Sequence, residues 1–338
     1  MTTLLVASTG GHLKQLYRLH RRLEGVEGPF RWATFDTPQS RSLLAGEDVD
    51  FVHFVGGRDP GNVLRNVPLA HRILRTHDVR AIVSTGSAVA LPFYALGRSR
   101  GLDLHYIESA ARSDGPSRTA GMIARIPGVN LYAQYPSWAD GKWAFRGAVF
   151  DSFALAGQAR PGSRELRKVV VSLGTFKDYG FERLVRRLLE ILPADVEVLW
   201  QTGDTDVSGL GIRGHHTLPE HELSQAIREA DVLVAHAGVG ASLMALELGR
   251  CPVLVPRRVS HGEHVDDHQT QIAGELSRRG LAVTADADRL TLDHLATAAA
   301  TRVTAPAQEP PFVLAGGRSH PQPWGGPSLQ RDRREART

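Results

Sequence analysis

At 338 residues, 42 % of them hydrophobic and 22 % charged, the chain has an ordinary globular composition and the length of two domains that each bury a core. Its formal charge of +4 is dispersed rather than gathered into a patch, which suits an anionic substrate or a membrane face and gives no nucleic-acid signature. One cysteine, Cys251, excludes a disulfide framework and points to a reducing, cytoplasmic compartment, and no apolar run is long enough to span a bilayer.

Residues 3–7 form a short continuous apolar run, followed by Ser8-Thr9-Gly10-Gly11-His12 and a helical pattern through Leu13, Leu16, Leu19 and Leu23. A buried strand, a glycine turn and an amphipathic helix make the opening unit of a parallel sheet. With no basic segment before it, the run reads as a first strand rather than a signal peptide. Residues 32–37 and 49–55 read as strands with a helix at 39–45 between them, and a basic, apolar helical pattern at 62–76 is interrupted by Pro68. A strand at 81–86, a helix at 89–100 and a strand at 104–109 complete a first series, expected as a domain of residues 1–156. The Gly/Pro/Ser/Arg-rich stretch at 157–166 reads as a linker.

The second series, expected at 167–303, has strands at 168–175, 196–203, 231–238 and 251–256 and helices at 181–192, 221–230, 270–280 and 292–303. Residues 304–338, rich in Pro, Gly, Arg and Gln, are expected to be disordered. The fold class is therefore α/β: two Rossmann-like, doubly wound domains facing across a cleft at the carboxyl ends of their strands.

The motifs fall at those strand ends. In TGGH (9–12), Gly10 and Gly11 expose backbone N–H groups to a hydroxyl or phosphate, and His12 has the proton affinity of a general base; the plainer reading is a tight turn with a capping histidine. SLGT ends the strand at 172–175 with Thr175 as a helix cap. HAGVG, from His236 through Gly238 and Val239 to Gly240, repeats the strand-to-helix glycine theme. No GxGxxG is present, which disfavours a nicotinamide enzyme.

HGEHVDDHQ (261–269) carries three histidines and three acids. A metal reading would use His261, His264, Asp266 and His268, but the spacing fits no zinc pattern, so no metal is expected; the same groups suit the hydroxyls of a sugar, or a solvated loop. Glu108, Arg112 and Asp114, in YIESAARSDGPS, form either an acceptor or phosphate site or a salt-bridged surface loop. Neither G-x-S-x-G, HExxH nor a Walker lysine motif occurs, which leaves little weight for hydrolases and P-loop enzymes.

HAGVGAS, ELGRCPVLVPRR and GEHVDDHQ, with SLGT and FERLV (181–185), resemble the donor-binding domain of family 28 GT-B glycosyltransferases, bacterial exopolysaccharide transferases among them. STGGHLKQL, STGSAVALPF and YIESAARSDGPS resemble the acceptor-side partner of the two-subunit N-acetylglucosaminyltransferase that extends dolichol-diphosphate-GlcNAc. The halves look fused here, as in the peptidoglycan transferase that makes lipid II, and the resemblance covers residues 3–290.

The resemblance implies a GT-B fold and inverting, metal-independent transfer of a hexose, N-acetylglucosamine first, from a UDP-sugar to a hydroxyl of a glycan, lipid-linked saccharide or small natural product. The UDP-sugar is a co-substrate and no cofactor is implied. His12 would be the base. Gly238, Val239, Gly240, Ala241 and Ser242 would cradle the diphosphate, with Gly11, Thr175 and His236 beside it, and Asp267, His268 and Gln269 on the donor sugar. Gly10, Ser87, Glu108, Arg112 and Asp114 would face the acceptor. Where many relatives carry a ribose-binding glutamate the alignment places Met244, and Glu247, one turn later, is the expected substitute. A lipid-diphosphate acceptor would lay the stretches at 63–75 and 118–128 on an anionic cytoplasmic leaflet. The rival readings are a non-hydrolysing UDP-sugar 2-epimerase and a silent nucleotide-sugar-binding partner of another transferase.

Overall fold

The computed structural model describes residues 1–56, 59–158, 166–174, 179–264, 266–305 and 308–315. The first half contains β1 (Thr2–Ala7), α1 (Gly11–Leu19), β2 (Leu23–Glu24), β3 (Phe30–Phe35), α2 (Pro38–Leu43), β4 (Val49–Val52), α3 (Pro60–Arg65), α4 (Val67–Thr76), β5 (Val79–Gly86), α5 (Ala90–Ser99), β6 (Asp103–Ile107), α6 (Arg118–Ile123), β7 (Val129–Ala133), β8 (Trp143–Phe145) and β9 (Ala154–Gln158). Seven of these strands form one parallel sheet in the order β4-β3-β1-β5-β6-β7-β8.

Alternation sets which core each residue of β1 enters: Leu5 and Ala7 join one hydrophobic cluster, Leu4 and Val6 another on the opposite face. Both faces are covered, so the strand reads as an unbroken apolar run. The interruption at Pro68 is a helix start. Asn66 bonds His53 through its side-chain oxygen and nitrogen, both at 2.9 Å, ending α3, and Pro68 then occupies the first turn of α4, where its missing N–H leaves no bond unmade.

The second half contains β10 (Lys168–Ser172), α7 (Glu182–Ile191), β11 (Glu197–Gln201), β12 (Gly214–His215), α8 (Glu220–Glu229), β13 (Val232–His236), α9 (Val239–Glu247), β14 (Val253–Val255), α10 (His268–Arg278), β15 (Val283–Thr284), α11 (Leu292–Ala300), β16 (Thr301–Thr304) and β17 (Phe312–Val313). Its parallel sheet runs β12-β11-β10-β13-β14-β15. In each sheet the first and fourth strands in chain order are neighbours, β1 beside β5 and β10 beside β13. Winding reverses there, and the loops part to leave a crevice at the strand ends.

Two connections differ from expectation. The linker expected from residue 157 begins inside β9, which pairs antiparallel with β16; the rest of that stretch, 159–165, lies outside the described residues. Residues 308–315, expected within a disordered tail, return to the first domain: β17 pairs with β2, Phe312 is buried, and Arg22 Nε donates to the Pro310 carbonyl at 2.7 Å. One buried aromatic and a strand pairing supply the ordering that composition alone does not show. Residues 316–338 lie outside the described residues.

Candidate active site

Both crevices carry a histidine. His12 stands at the start of α1, half-buried, with Nδ1 2.6 Å from the Thr85 carbonyl at the end of β5. A carbonyl only accepts, so Nδ1 carries the hydrogen and Nε2 keeps its lone pair. Burial lowers the affinity of His12 for a second proton; the Thr85 bond opposes this, and the charges of His268 and Arg112 add to it. The ring therefore favours its neutral form, with Nε2 as its proton-accepting nitrogen. Gly86, at the end of β5, is what lets the ring sit there: a side chain on it would lie 3.1 Å from His12 Cε1.

In the second crevice His236 ends β13, with Nδ1 3.3 Å from the Ser172 carbonyl of β10. Its ring lies between Gly174 and Gly238, where an added Cβ would come within 2.6 Å and 2.3 Å of it. Burial and then the Arg257 charge push its pKa down to about 3. Gly238 thus makes room for an imidazole. Ser242 is fully buried and its hydroxyl donates to the Gly238 carbonyl at 2.9 Å, so it braces the turn instead of offering a hydroxyl to the cleft.

The two glycine turns meet. A Cβ on Gly11 would lie 3.4 Å from the Gly240 nitrogen, and one on Gly240 would lie 3.6 Å from Gly11 Cα. At α1 and at α9 no side chain caps the N-terminus and no acid occupies the first turn. Two nine-residue helices thus direct their unpaired N–H groups and positive dipole ends to one place. The N–H groups of Val239, Gly240 and Ala241 begin α9, and Gly10 N–H is held by Gln39 Oε1 at 2.7 Å.

A polar cluster from the 261–269 stretch borders this junction. Asp266 accepts from His268 Nδ1, lies 3.4 Å from His264 Nδ1, and pairs with Arg112 Nη2 of the other domain at 2.7 Å. Burial alone would hinder ionisation of Asp266; the bonds from His264, His268 and Arg112 outweigh it and hold the carboxyl below its usual range. His264, Asp266 and His268 place ligand atoms within 4.8 Å of one another, whereas His261 is exposed and apart from them. The charge of His268 is felt by both His12 and His236, which sets it between the two crevices.

Several expected site residues have structural tasks. Gln269 is buried and its carbonyl accepts from Arg257 N–H at 3.0 Å, and the exposed Asp267 accepts from Val259 N–H at 3.1 Å. Glu247 pairs with Lys14 at 3.0 Å and Arg18 at 3.9 Å across the domain boundary, and Met244 packs half-buried on the core, so neither is aimed at a ribose here. Glu108 is buried, its two oxygens taken by Ser109 N–H at 2.8 Å and Ser117 N–H at 2.6 Å, which makes it a loop clamp and corrects its expected acceptor role. Asp114 is turned to solvent, Ser87 follows Gly86 beside His12, and Thr175 lies outside the described residues.

Residues not anticipated also shape the site. Lys14, 8 % exposed, is held between Glu220 at 2.9 Å and Glu247 at 3.0 Å. Arg257, 1 % exposed, donates to the Leu173 carbonyl at 2.7 Å, and burial lowers its pKa to about 10. One sequence carries no signal for either, because both look like surface cations until the domains are packed.

The arrangement has counterparts. The MurG protein of Acinetobacter baumannii shares the fold with a TM-score of 0.52 at 17 % identity, over 88 % of this chain and 89 % of that one. Residues 169–308 match the glycosyltransferase family 28 C-terminal domain. The second half of the chain thus carries a family 28 glycosyltransferase C-terminal domain within a GT-B fold. Two curated relatives bear the name UDP-N-acetylglucosamine–N-acetylmuramyl-(pentapeptide) pyrophosphoryl-undecaprenol N-acetylglucosamine transferase. One, from Synechococcus sp. (strain CC9902), is 26 % identical over 79 % of both chains. The other, from Prochlorococcus marinus (strain MIT 9303), is 27 % identical over 63 % of this chain, which spans 60 % of that protein's length. The GT-B fold accounts for the two sheets and their facing crevices.

Proposed function

We propose that the chain transfers a hexose, with N-acetylglucosamine the leading candidate, from a UDP-sugar to a hydroxyl acceptor by one inverting displacement that requires no metal. The observation that carries this reading is the meeting of two uncapped helix N-termini beside a histidine whose hydrogen is fixed on Nδ1. Such a place favours a diphosphate and supplies a base within the same crevice. The acceptor oxygen attacks the anomeric carbon while its proton passes to His12 Nε2. The bond from that carbon to the diphosphate oxygen breaks, and its electron pair leaves on UDP. Negative charge grows on the leaving group, toward the start of α9, where aligned N–H groups stabilise it.

The relatives' names support UDP-N-acetylglucosamine as donor and a lipid-linked diphosphate as acceptor, with a glycan or small natural product as the other acceptor classes. Among the described residues no helix is long and apolar enough to cross a membrane. Leu64 and Met122 are exposed on helices that also carry Arg65 and Arg118, which supports peripheral contact with an anionic cytoplasmic leaflet.

The test combines binding and turnover. A thermal-shift panel of UDP-, dTDP- and GDP-sugars should select UDP-sugars, since a ligand of the native state raises its apparent stability. His12→Ala should keep that shift and lose roughly 10²–10⁴-fold in transfer rate. Because burial lowers the His12 pKa, the acid limb of the wild-type rate profile should fall below 6.5. Full transfer by a folded His12→Ala protein, or sugar isomerisation without an acceptor, would overturn the reading.

A further inference from the structure

We infer that Arg112 is a positioning residue for the donor sugar, acting from the acceptor domain through Asp266 on His268. The inference rests on the transferase reading and assigns Arg112 a task different from the acceptor contact expected of it. Its backbone is fixed, because Trp138 Nε1 donates to the Arg112 carbonyl at 3.0 Å. The next residue also crosses the boundary, with Ser113 N–H 3.2 Å from Gln271 Oε1 on α10. The guanidinium is therefore delivered to the second domain by a braced loop.

The two oxygens of Asp266 are divided between the domains. Oδ2 takes Arg112 Nη2 at 2.7 Å and Oδ1 takes His268 Nδ1. An ionised carboxylate only accepts, so the His268 hydrogen is held on Nδ1 and Nε2 faces away from Asp266. The His264 ring, edge-on at 4.8 Å and 79°, limits rotation of His268 from another side. The result is an imidazole of fixed orientation and tautomer at the edge of the junction between His12 and α9, where the sugar of a bound donor would lie. Neither Arg112 nor Asp266 has to touch that sugar. Losing Arg112 would free the carboxylate to turn, and with it the ring. The grip is complete only while the two domains are together, so the acceptor domain contributes to how the sugar, but not the nucleotide, is held.

Calorimetric titration of UDP-N-acetylglucosamine, with UDP as control, separates those two contributions in wild type, Arg112→Gln, Asp266→Asn, the double variant and Arg112→Lys. Each single loss should weaken the nucleotide sugar about tenfold, the worth of one charge-assisted hydrogen bond, and change UDP affinity less than about twofold. The double variant should bind like either single one, because one path is cut in both, and Arg112→Lys should recover most of the loss. The inference falls if UDP weakens equally, if the two losses multiply, or if Arg112→Gln binds like wild type. Failure of the transferase reading looks different: the wild-type protein itself would bind neither ligand, and the inference would fall with it.

Discussion

His12 and His236 occupy matching places in the two sheets. Each lies between the first and fourth strands of its domain and sets Nδ1 against a main-chain carbonyl, at 2.6 Å from Thr85 and 3.3 Å from Ser172. The two rings differ in how the chain continues beyond them. His12 is already on its helix; His236 precedes its helix and is enclosed by Gly174 and Gly238. The same strand-end topology therefore leaves a ring nitrogen without a hydrogen on one side, where the proposed mechanism places its base, and a wedge that shapes a helix start on the other. In the proposed mechanism the first half works through a side chain, His12, and the second through backbone N–H groups at Val239, Gly240 and Ala241.

Substitutions break this pairing in graded ways. Gly240→Asp should do most damage, lowering UDP affinity about a hundredfold by placing a carboxylate where the diphosphate belongs, a like-charge cost of several kcal/mol. Titration of UDP into a variant of unchanged melting temperature checks it, and wild-type affinity would remove the donor site from α9. Gly238→Ala should cost about 2–3 kcal/mol of stability by driving a methyl into the His236 ring. Most of that cost should return in Gly238→Ala/His236→Ala, where the ring is gone; equal losses in single and double variants would deny the wedge.

The last effect is confined to acid pH. His236 titrates near 3 when folded, against an ordinary value of 6.5. Between those values the unfolded chain binds more protons, about one per His236, so stability should fall as pH drops through this window and be unaffected above it. Denaturant midpoints tracked from neutral to acid should show a shallower slope in His236→Ala. An unchanged slope would mean that the ring is not enclosed in solution.

Much of the fold was readable because buried parallel strands are apolar runs and their helices are amphipathic, and those periods survive in a single sequence at β1, β5, β10 and β13. β8 and β9 carry no such signal: three and five residues long, they are defined by distant partners rather than by pattern. The returning segment at 308–315 was hidden for the same reason, since its buried residues, Phe312 and Leu314, belong to an apolar stretch behind Pro310 and Pro311 that is too short to show a period. In the site, His12 and the glycine turns were legible from their position between strand and helix. The roles of Glu108, Glu247 and Gln269 were not. Glu108 was assigned to a ligand as a charge at a strand end, and Glu247 and Gln269 through the family resemblance, whereas burial or domain packing commits each to the protein itself. Lys14 shows the limit clearly, a cation at a place buried only when α1 meets α8 and α9.

Direct displacement at the junction of the two helix N-termini is the claim on which the proposed activity stands or falls. Its most direct test is proton NMR of the product that the purified wild-type chain forms from an anomerically pure UDP-N-acetylglucosamine and a hydroxyl acceptor. The predicted result is a glycoside of inverted anomeric configuration, appearing in step with UDP release. A retained configuration, or an altered sugar released without joining the acceptor, would contradict it.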